Sequence, residues 1–269
     1  IVVALPPPGP LPSGFVFVPG GRFLFGSAEE DGLRRGFHHT APIHQVETAP
    51  FFIARHETTF AQWLEYLADL PQEEAERRMP SVHAGGFEGA VGMKKREDGK
   101  WEFTFKPSSQ KYVVAQGEKL VYQGRKVRQA QDWLRFPVVG ITAADADAYA
   151  TWLASTGRVP GARLCTDREW ELAARGADGR EYPHGHRLWP QDSNFDETYG
   201  KVPEAMGLDE VGSHPASRSP YGVDDMSGNA WEWVSSSLAN GSHAARGGSF
   251  YFDVNCAKTL NRETPEASF

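Results

Sequence analysis

Cysteine is scarce in this chain of 269 residues, which contains only Cys165 and Cys256. Two cysteines cannot form the disulfide framework of a small secreted domain, so we expect a reducing, cytoplasmic setting. Apolar runs are also short, and none approaches the roughly 20 residues that a membrane-spanning helix needs. Basic residues are not in excess, because the formal net charge is −7. This balance argues against a nucleic-acid-binding surface.

Protein-kinase motifs are missing as well. No glycine-rich loop precedes a lysine-bearing strand, and no His-Arg-Asp triplet occurs, so kinase chemistry is not expected within these residues. Hydrophobic periodicity fades after residue 176. Loops are therefore predicted to dominate the last third of the chain, apart from short strands near Trp231 and Ser249.

Glycine, proline and aromatic residues are plentiful, with 28 glycines, 19 prolines, 16 phenylalanines and 8 tryptophans. This composition predicts a loop-rich domain held by aromatic packing, and the length suits one large domain over residues 15–269. Residues 1–14 are interpreted as a linker, because the run from Pro6 to Pro10 favours extended polyproline geometry. The start at Ile1 rather than methionine predicts a further domain upstream, as a covalently attached partner.

Three helices can be located from threonine caps. Each threonine precedes a helical apolar pattern and is followed, three residues later, by a side chain that completes a capping box. The pairs are Thr59 with Gln62, Thr142 with Asp145, and Thr166 with Glu169. The second and third helices are the clearest, and Gly176 is predicted to end the third. Near the N-terminus, segments 15–18 and 22–25 flank Pro19-Gly20-Gly21, which predicts a hairpin.

The segment from residue 71 to about 135 is basic and alternates with a period of two, most clearly over Lys100 to Phe105. We interpret it as an inserted antiparallel β segment. One explanation of its lysines is a solvated edge that resists aggregation. The other is a docking surface for an acidic partner, such as the upstream domains.

Two motifs near the C-terminus combine turn and core residues. The first runs Tyr-Gly-Val-Asp-Asp-Met-Ser-Gly-Asn-Ala-Trp-Glu-Trp-Val from Tyr221 to Val234. Its tryptophans alternate about Glu232 as in a half-buried strand, so the carboxylate must face water, a cation or a metal. The second, Arg246-Gly-Gly-Ser-Phe250, predicts a glycine turn that enters an aromatic strand.

These motifs resemble the signature of the formylglycine-generating-enzyme (sulfatase-modifying factor) superfamily, and similar stretches follow in the expected order. They include Glu57-Thr58-Thr59, Arg163 to Glu171, and Tyr182-Pro183-His184-Gly185. The resemblance covers most of residues 14–269, except the basic segment. It implies an α+β fold of C-type-lectin type, with a twisted antiparallel sheet, two main helices and many irregular loops.

The resemblance also implies two structural calcium sites, since calcium prefers carboxylate, amide and carbonyl oxygens. The first set is Asn194, Phe195, and Asp196 or Asp209. The second set is Asn229, Ala230 and Glu232. The alternative is that Asn229 caps its own turn and Glu232 pairs with Arg246.

Redox chemistry of the superfamily would need soft or imidazole ligands. Cys256 matches the second of two copper-binding cysteines, but Tyr251 stands where the first would be, so copper and formylglycine generation are not favoured. Cys256 is a weak catalytic candidate, while both cysteines suit a buried structural role. An iron site would draw on His184 and His186, with Asp192 or Asp196. It is not favoured, because His184 merely occupies a tight turn.

The resemblance places a ligand groove on the loop face near the C-terminus. Its residues would be Trp231, Tyr251, Asp253, Asn255, Asn261 and Arg262, which suit a peptide or small polar ligand. We therefore expect a ligand-binding sensor or interaction module, of the kind appended to bacterial serine/threonine kinases. The alternative is a diverged metal-dependent oxidase or oxygenase.

Overall fold

The computed structural model describes residues 12–83, 88–238 and 241–264. Most of the predicted linker therefore lies outside the described residues. The helices are α1 (Asp31–Gly36), α2 (Phe60–Asp69), α3 (Gln72–Arg77), α4 (Ala143–Ser155) and α5 (Asp167–Arg175), with 3-10 turns at Trp133–Arg135 and Pro215–Ser217. None of the helices in these ranges is long and apolar enough to cross a membrane.

The strands are antiparallel and form five small sheets within the described residues rather than one large sheet. Their bounds are β1 (Phe15–Val18), β2 (Gly21–Phe25), β3 (His44–Thr48), β4 (Phe51–Ala54), β5 (Val91–Lys95), β6 (Trp101–Phe105), β7 (Tyr112–Ala115), β8 (Leu120–Val121), β9 (Ala130–Gln131), β10 (Glu232–Ser237) and β11 (His243–Arg246). The sheets are β1–β4, β2–β3, β5–β6–β7, β8–β9 and β10–β11. The α+β class is confirmed.

The predicted hairpin between β1 and β2 is wrong. β1 pairs with β4, and β2 pairs with β3. The chain bends at Gly20 and Gly21, whose φ angles are 70° and 114°, and this conformation is open to glycine without strain. A Cβ on Gly20 would lie 2.6 Å from the backbone of Ala49. The bend therefore sends β1 and β2 into two neighbouring sheets, each completed by a more distant strand.

The three predicted helix caps are confirmed. Each threonine accepts a hydrogen bond from the backbone N–H three residues on, and the partner side chain accepts one from the threonine N–H. Gly176 ends α5 with a φ of 66°. Between α5 and β10 the regular structure is one 3-10 turn among the described residues, as expected. The second motif differs, because β11 ends at Arg246 and the glycines follow the strand.

The basic segment is built into the main hydrophobic core. Phe103 of β6 stacks on Trp133, with ring centroids 5.1 Å apart, and also contacts Phe60 of α2 at 4.7 Å. All three rings are fully buried. The predicted antiparallel strands are present as β5–β7 and β8–β9, and lysines such as Lys94 and Lys100 lie on the exposed surface. Removing the apolar side of this segment would therefore open the core.

Replacement of Phe103 by alanine should lower the free energy of unfolding by roughly 3 to 5 kcal/mol, because it leaves a cavity among packed rings. Urea denaturation of the purified domain measures this change. Val113→Ala, on the exposed side of neighbouring β7, is the matched control and should cost less than about 1 kcal/mol. Equal losses in the two variants would show that the segment does not belong to the core.

Candidate functional site

Arg246 connects β11 to α5. Its guanidinium is fully buried and donates to Asp167 Oδ1 at 2.5 Å and to Glu171 Oε2 at 2.8 Å. Glu232 and Arg246 are opposite each other in the β10–β11 ladder, but the guanidinium is directed to the helix. The ion pair between Glu232 and Arg246 considered above is therefore replaced by pairs to Asp167 and Glu171.

Three carboxyl groups lie in one buried region beside β10, those of Glu57, Asp225 and Glu232. Burial raises the pKa of Glu232 to about 8, and the charge of Asp225 adds to this effect. Burial also raises the pKa of Glu57 well above its ordinary value, again reinforced by Asp225 and Glu232. The pKa of Asp225 is raised by burial as well. The region therefore favours either protonated acids or a bound cation.

The hydrogen bonds of these acids are incomplete. Asn229 Nδ2 donates to Glu57 Oε1 at 3.2 Å, whereas no N–H or hydroxyl group donates to the buried Glu57 Oε2. A hydrogen bond between Glu57 and Asp225 forms when one of the two carboxyl groups is protonated. The backbone N–H of Gly212 donates to Asp225. Sequence reasoning did not assign Glu57 or Asp225 to the site. The available signals were the Glu-Thr-Thr stretch before α2 and the paired aspartates of the first C-terminal motif.

A cavity of about 470 Å³ adjoins these acids. Its walls come from β1, β4, α4 and β10 and are mainly aromatic and aliphatic, including Phe52, Tyr149 and Trp233. Glu57 and Glu232 also lie in the wall. The size and the mixture of apolar walls with a few polar groups are typical of a small-ligand site.

In the first predicted calcium set, Asp209 and Asn194 are occupied by protein partners. Asp209 is enclosed by hydrogen-bond donors, and the Asp196 carboxylate pairs with Lys201 Nζ at 2.8 Å. Asn194 uses its side-chain N–H groups to reach Gly207 O at 2.9 Å and Asn229 Oδ1 at 3.1 Å. Phe195 is buried beside them. The side chains of Asn194 and Asp209 are therefore engaged with protein partners, whereas Asp196 keeps one buried oxygen, Oδ1, that accepts no hydrogen bond.

Two of the three residues of the second predicted set lie at the cavity. Ala230 and Glu232 both line it. Asn229 has a φ of 63° and accepts the N–H of Asp209 at 3.0 Å, so its side chain stabilises the turn. Over residues 12–83, 88–238 and 241–264, no group of three or more His, Cys, Asp or Glu side chains could hold a metal by itself. Calcium here would need carbonyl oxygens in addition to carboxylates, and the buried Glu57 Oε2 fits such a role.

The environments of both cysteines disfavour the thiolate form. Both are free, and burial raises the pKa of Cys256 to about 12, with a further contribution from Asp253. Burial likewise raises the pKa of Cys165, which lines the cavity. The two histidines of the predicted iron site, His184 and His186, have different environments. His184 Nε2 lies 3.3 Å from Asp192 Oδ2, whereas the His186 side chain is exposed.

The predicted groove residues occupy three environments. Tyr251, Asp253 and Asn255 are exposed, while Trp231 is buried with its ring edge-on to Phe252 at 5.8 Å. The other two serve the loop structure. Asn261 is buried, contacts His38 Nδ1 at 3.3 Å and donates to the carbonyl of Cys256 at 3.0 Å. Arg262 pairs with Asp167 at 2.9 Å and lines a second, open cavity.

The raised pKa of Glu232 makes stability depend on pH in metal-free protein. Below the ordinary value of 4.5 the carboxyl is protonated in both folded and unfolded chains. Between pH 4.5 and about 8 only the unfolded chain is ionised, so the free energy of unfolding should fall as the pH rises across this window. Glu232 should contribute roughly 3 to 5 kcal/mol to this fall, which is measured by urea denaturation in the presence of a chelator.

Glu232→Gln should reduce this slope, because the amide does not ionise, and the raised pKa values of Glu57 and Asp225 should account for the slope that is left. Glu197→Gln, at an exposed position, should retain it. A slope that is the same in all three proteins would show that Glu232 ionises normally in the folded state.

Comparison with known proteins places the chain among named relatives. It is 33% identical over 233 residues to inactive Cα-formylglycine-generating enzyme 2 of Mus musculus, covering 82% of this chain and 68% of that one. It is 28% identical over 227 residues to the serine/threonine-protein kinase pkn1 of Chlamydia caviae, covering 84% of this chain but 28% of the kinase. The similarity to the kinase thus concerns a minor part of that protein.

The structure of PvdO from Pseudomonas aeruginosa has the same fold, with a TM-score of 0.58 at 21% identity, covering 94% of this chain and 89% of that one. The fold expected from the C-terminal motifs is thereby confirmed. Residues 5–269 match the family described as the sulfatase-modifying factor enzyme 1-like domain. Because this match spans nearly the whole chain, the protein belongs to that family.

Proposed function

We propose that this domain is a sensor or interaction module that binds a peptide or small ligand. The observation that carries the proposal is the cavity of about 470 Å³ whose mainly apolar wall includes Glu57 and Glu232. The apolar surface would contribute affinity, and the two carboxyl groups would orient a polar end of the ligand. The exposed Tyr251, Asp253 and Asn255 offer a further surface for a peptide that extends beyond the cavity.

Structural calcium forms part of the proposal at the second set only. Ala230 would supply a carbonyl oxygen, and Glu232 with the neighbouring Glu57 would supply carboxylates. Burial raises the pKa values of Glu57 and Glu232, and their mutual repulsion adds to this effect; a divalent cation would offset both by favouring the ionised acids. Calcium would act there by fixing the turn and strand that form the cavity wall.

The setting we propose is the cytoplasm, with upstream domains of the same polypeptide as partners. The similarity to part of a chlamydial serine/threonine kinase supports a signalling protein as the host. Ligand binding in the domain would then be reported to a catalytic unit elsewhere in the chain.

The second candidate is a metal-dependent oxidase or oxygenase, favoured by Cys256 at the position of a copper ligand in the superfamily. The high pKa of this thiol and Tyr251 at the partner position weigh against it. The two candidates differ in one observable, since only an oxidase needs a redox metal held by Cys or His side chains.

Added calcium should raise the melting temperature of chelator-treated protein by roughly 5 to 10 °C, because it binds the folded state alone. Glu232→Gln should abolish this increase, whereas Glu197→Gln should keep it. Metal analysis of the purified protein by mass spectrometry should detect calcium without stoichiometric copper or iron. One copper or iron atom per chain, lost in Cys256→Ser or in a His184→Ala/His186→Ala variant, would instead establish the oxidase.

Ligands can be sought by screening a library of short peptides and small polar molecules for changes in melting temperature and in tryptophan emission from Trp231 and Trp233. Ala150 lines the cavity on α4, so Ala150→Phe should fill it and weaken binding by at least about tenfold. Ala144→Phe, on the exposed side of the same helix, should bind normally. A ligand whose affinity is the same for both variants does not occupy the cavity.

A further inference from the structure

Arg125 lies in the connection between β8 and β9 and is buried against the loop that precedes Asp209. Its Nε donates to the carbonyl of Ala205 at 2.6 Å, and its Nη2 donates to the carbonyl of Gly207 at 2.8 Å. Its Nη1 donates to Asp209 Oδ1. The guanidinium is therefore surrounded by two carbonyl oxygens and a carboxylate, which are the oxygen types that calcium prefers.

Both faces of the guanidinium are covered as well. Its central carbon lies 3.6 Å from the centroid of the Tyr122 ring and 3.7 Å from that of the Tyr199 ring. A planar cation between two aromatic rings gains cation–π attraction on each face. The site accommodates the shape of a guanidinium as well as its charge.

Asp209 has no free lone pair in this arrangement. Oδ1 accepts from Arg125 and from Gln131 Nε2 at 2.6 Å. Oδ2 accepts from Tyr199 Oη and is bonded to His214 Nε2, each at 2.7 Å. Two donors on each oxygen use the ordinary acceptor capacity of a carboxylate. A calcium ion could reach Asp209 only by displacing one of these side chains.

Asp209 nevertheless stays ionised in its buried position. Burial alone would raise its pKa, but the hydrogen bond from His214 and the charge of Arg125 lower the pKa to about 2. Asn194, from the same predicted calcium set, shares the Gly207 carbonyl with Arg125 at 2.9 Å. The guanidinium is thus bound to the very loop that calcium was expected to organise.

We infer that the guanidinium of Arg125 replaces calcium at the first predicted site, so that residues 194–209 are held in place without metal. Arginine remains protonated at every pH at which proteins fold, and a covalently attached cation cannot be removed by a chelator. Calcium binding in this chain is then confined to the region of Glu232. The basic segment, through Arg125, supplies the cation of the neighbouring loop.

The first test is calorimetric titration of Glu232→Gln protein with calcium. We expect no binding, and a melting temperature that is the same in chelator and in excess calcium. Calcium bound by Glu232→Gln protein and lost on adding Asp209→Asn would place the ion at Asp209 and overturn the inference. Wild-type protein that binds no calcium would contradict the calcium proposal at Glu232 while supporting this one.

The second test is chemical rescue. Arg125→Ala should lower the melting temperature by roughly 10 °C, and guanidinium ion at concentrations well below denaturing should restore part of the loss. The exposed neighbour supplies the control, since Lys126→Ala should show neither effect. If Arg125→Ala does not fold, Arg125→Lys keeps the charge without the planar fork and should fold with a reduced melting temperature. A wild-type melting temperature in either Arg125 variant would overturn the inference.

Discussion

The buried guanidinium of Arg246 is the interaction on which the C-terminal half depends. It binds Asp167 and Glu171 of α5 and also donates to the carbonyl of Thr259 at 2.9 Å. Removing it would leave Asp167 with Arg262 and Glu171 with Arg175 as their remaining guanidinium partners, and the loss of one buried ion-pair partner from each carboxylate is destabilising. Because Arg246 binds Asp167 and Glu171 of α5, Glu232 on the paired strand has no guanidinium partner among the residues that the structure describes. Glu232 therefore remains an acidic group in the wall of the cavity.

Long loops between α5 and β10 have few backbone ladders to hold them, so polar side chains perform that task. Arg125 fixes the loop before Asp209, and Asn229 connects that loop to the first C-terminal motif. In both places the side chain satisfies backbone groups that a strand or helix would otherwise satisfy. Buried ion pairs and amides here define the conformation of segments that lack regular structure.

Local features were predictable from sequence, and long-range ones were not. The caps at Thr59, Thr142 and Thr166 depend on residues three positions apart, so they could be predicted without tertiary information. The hairpin was mispredicted because strand pairing depends on how Gly20 meets Ala49, which no local pattern reveals. The candidate site was found in part. Glu232 was recognised from its position between two tryptophans. Glu57 is distant in the sequence, and only the tertiary structure brings it to the same cavity.

The placement of β1 has a mechanical consequence. This strand is held by β4 through the register from Phe15 with Ala54 to Val18 with Phe51, and residues of both strands form a wall of the cavity. A pulling force applied through the chain before β1 loads this strand pair first. Material that fills the cavity would stiffen the same wall. A molecule in the cavity would therefore contact the same strand pair that bears such a force.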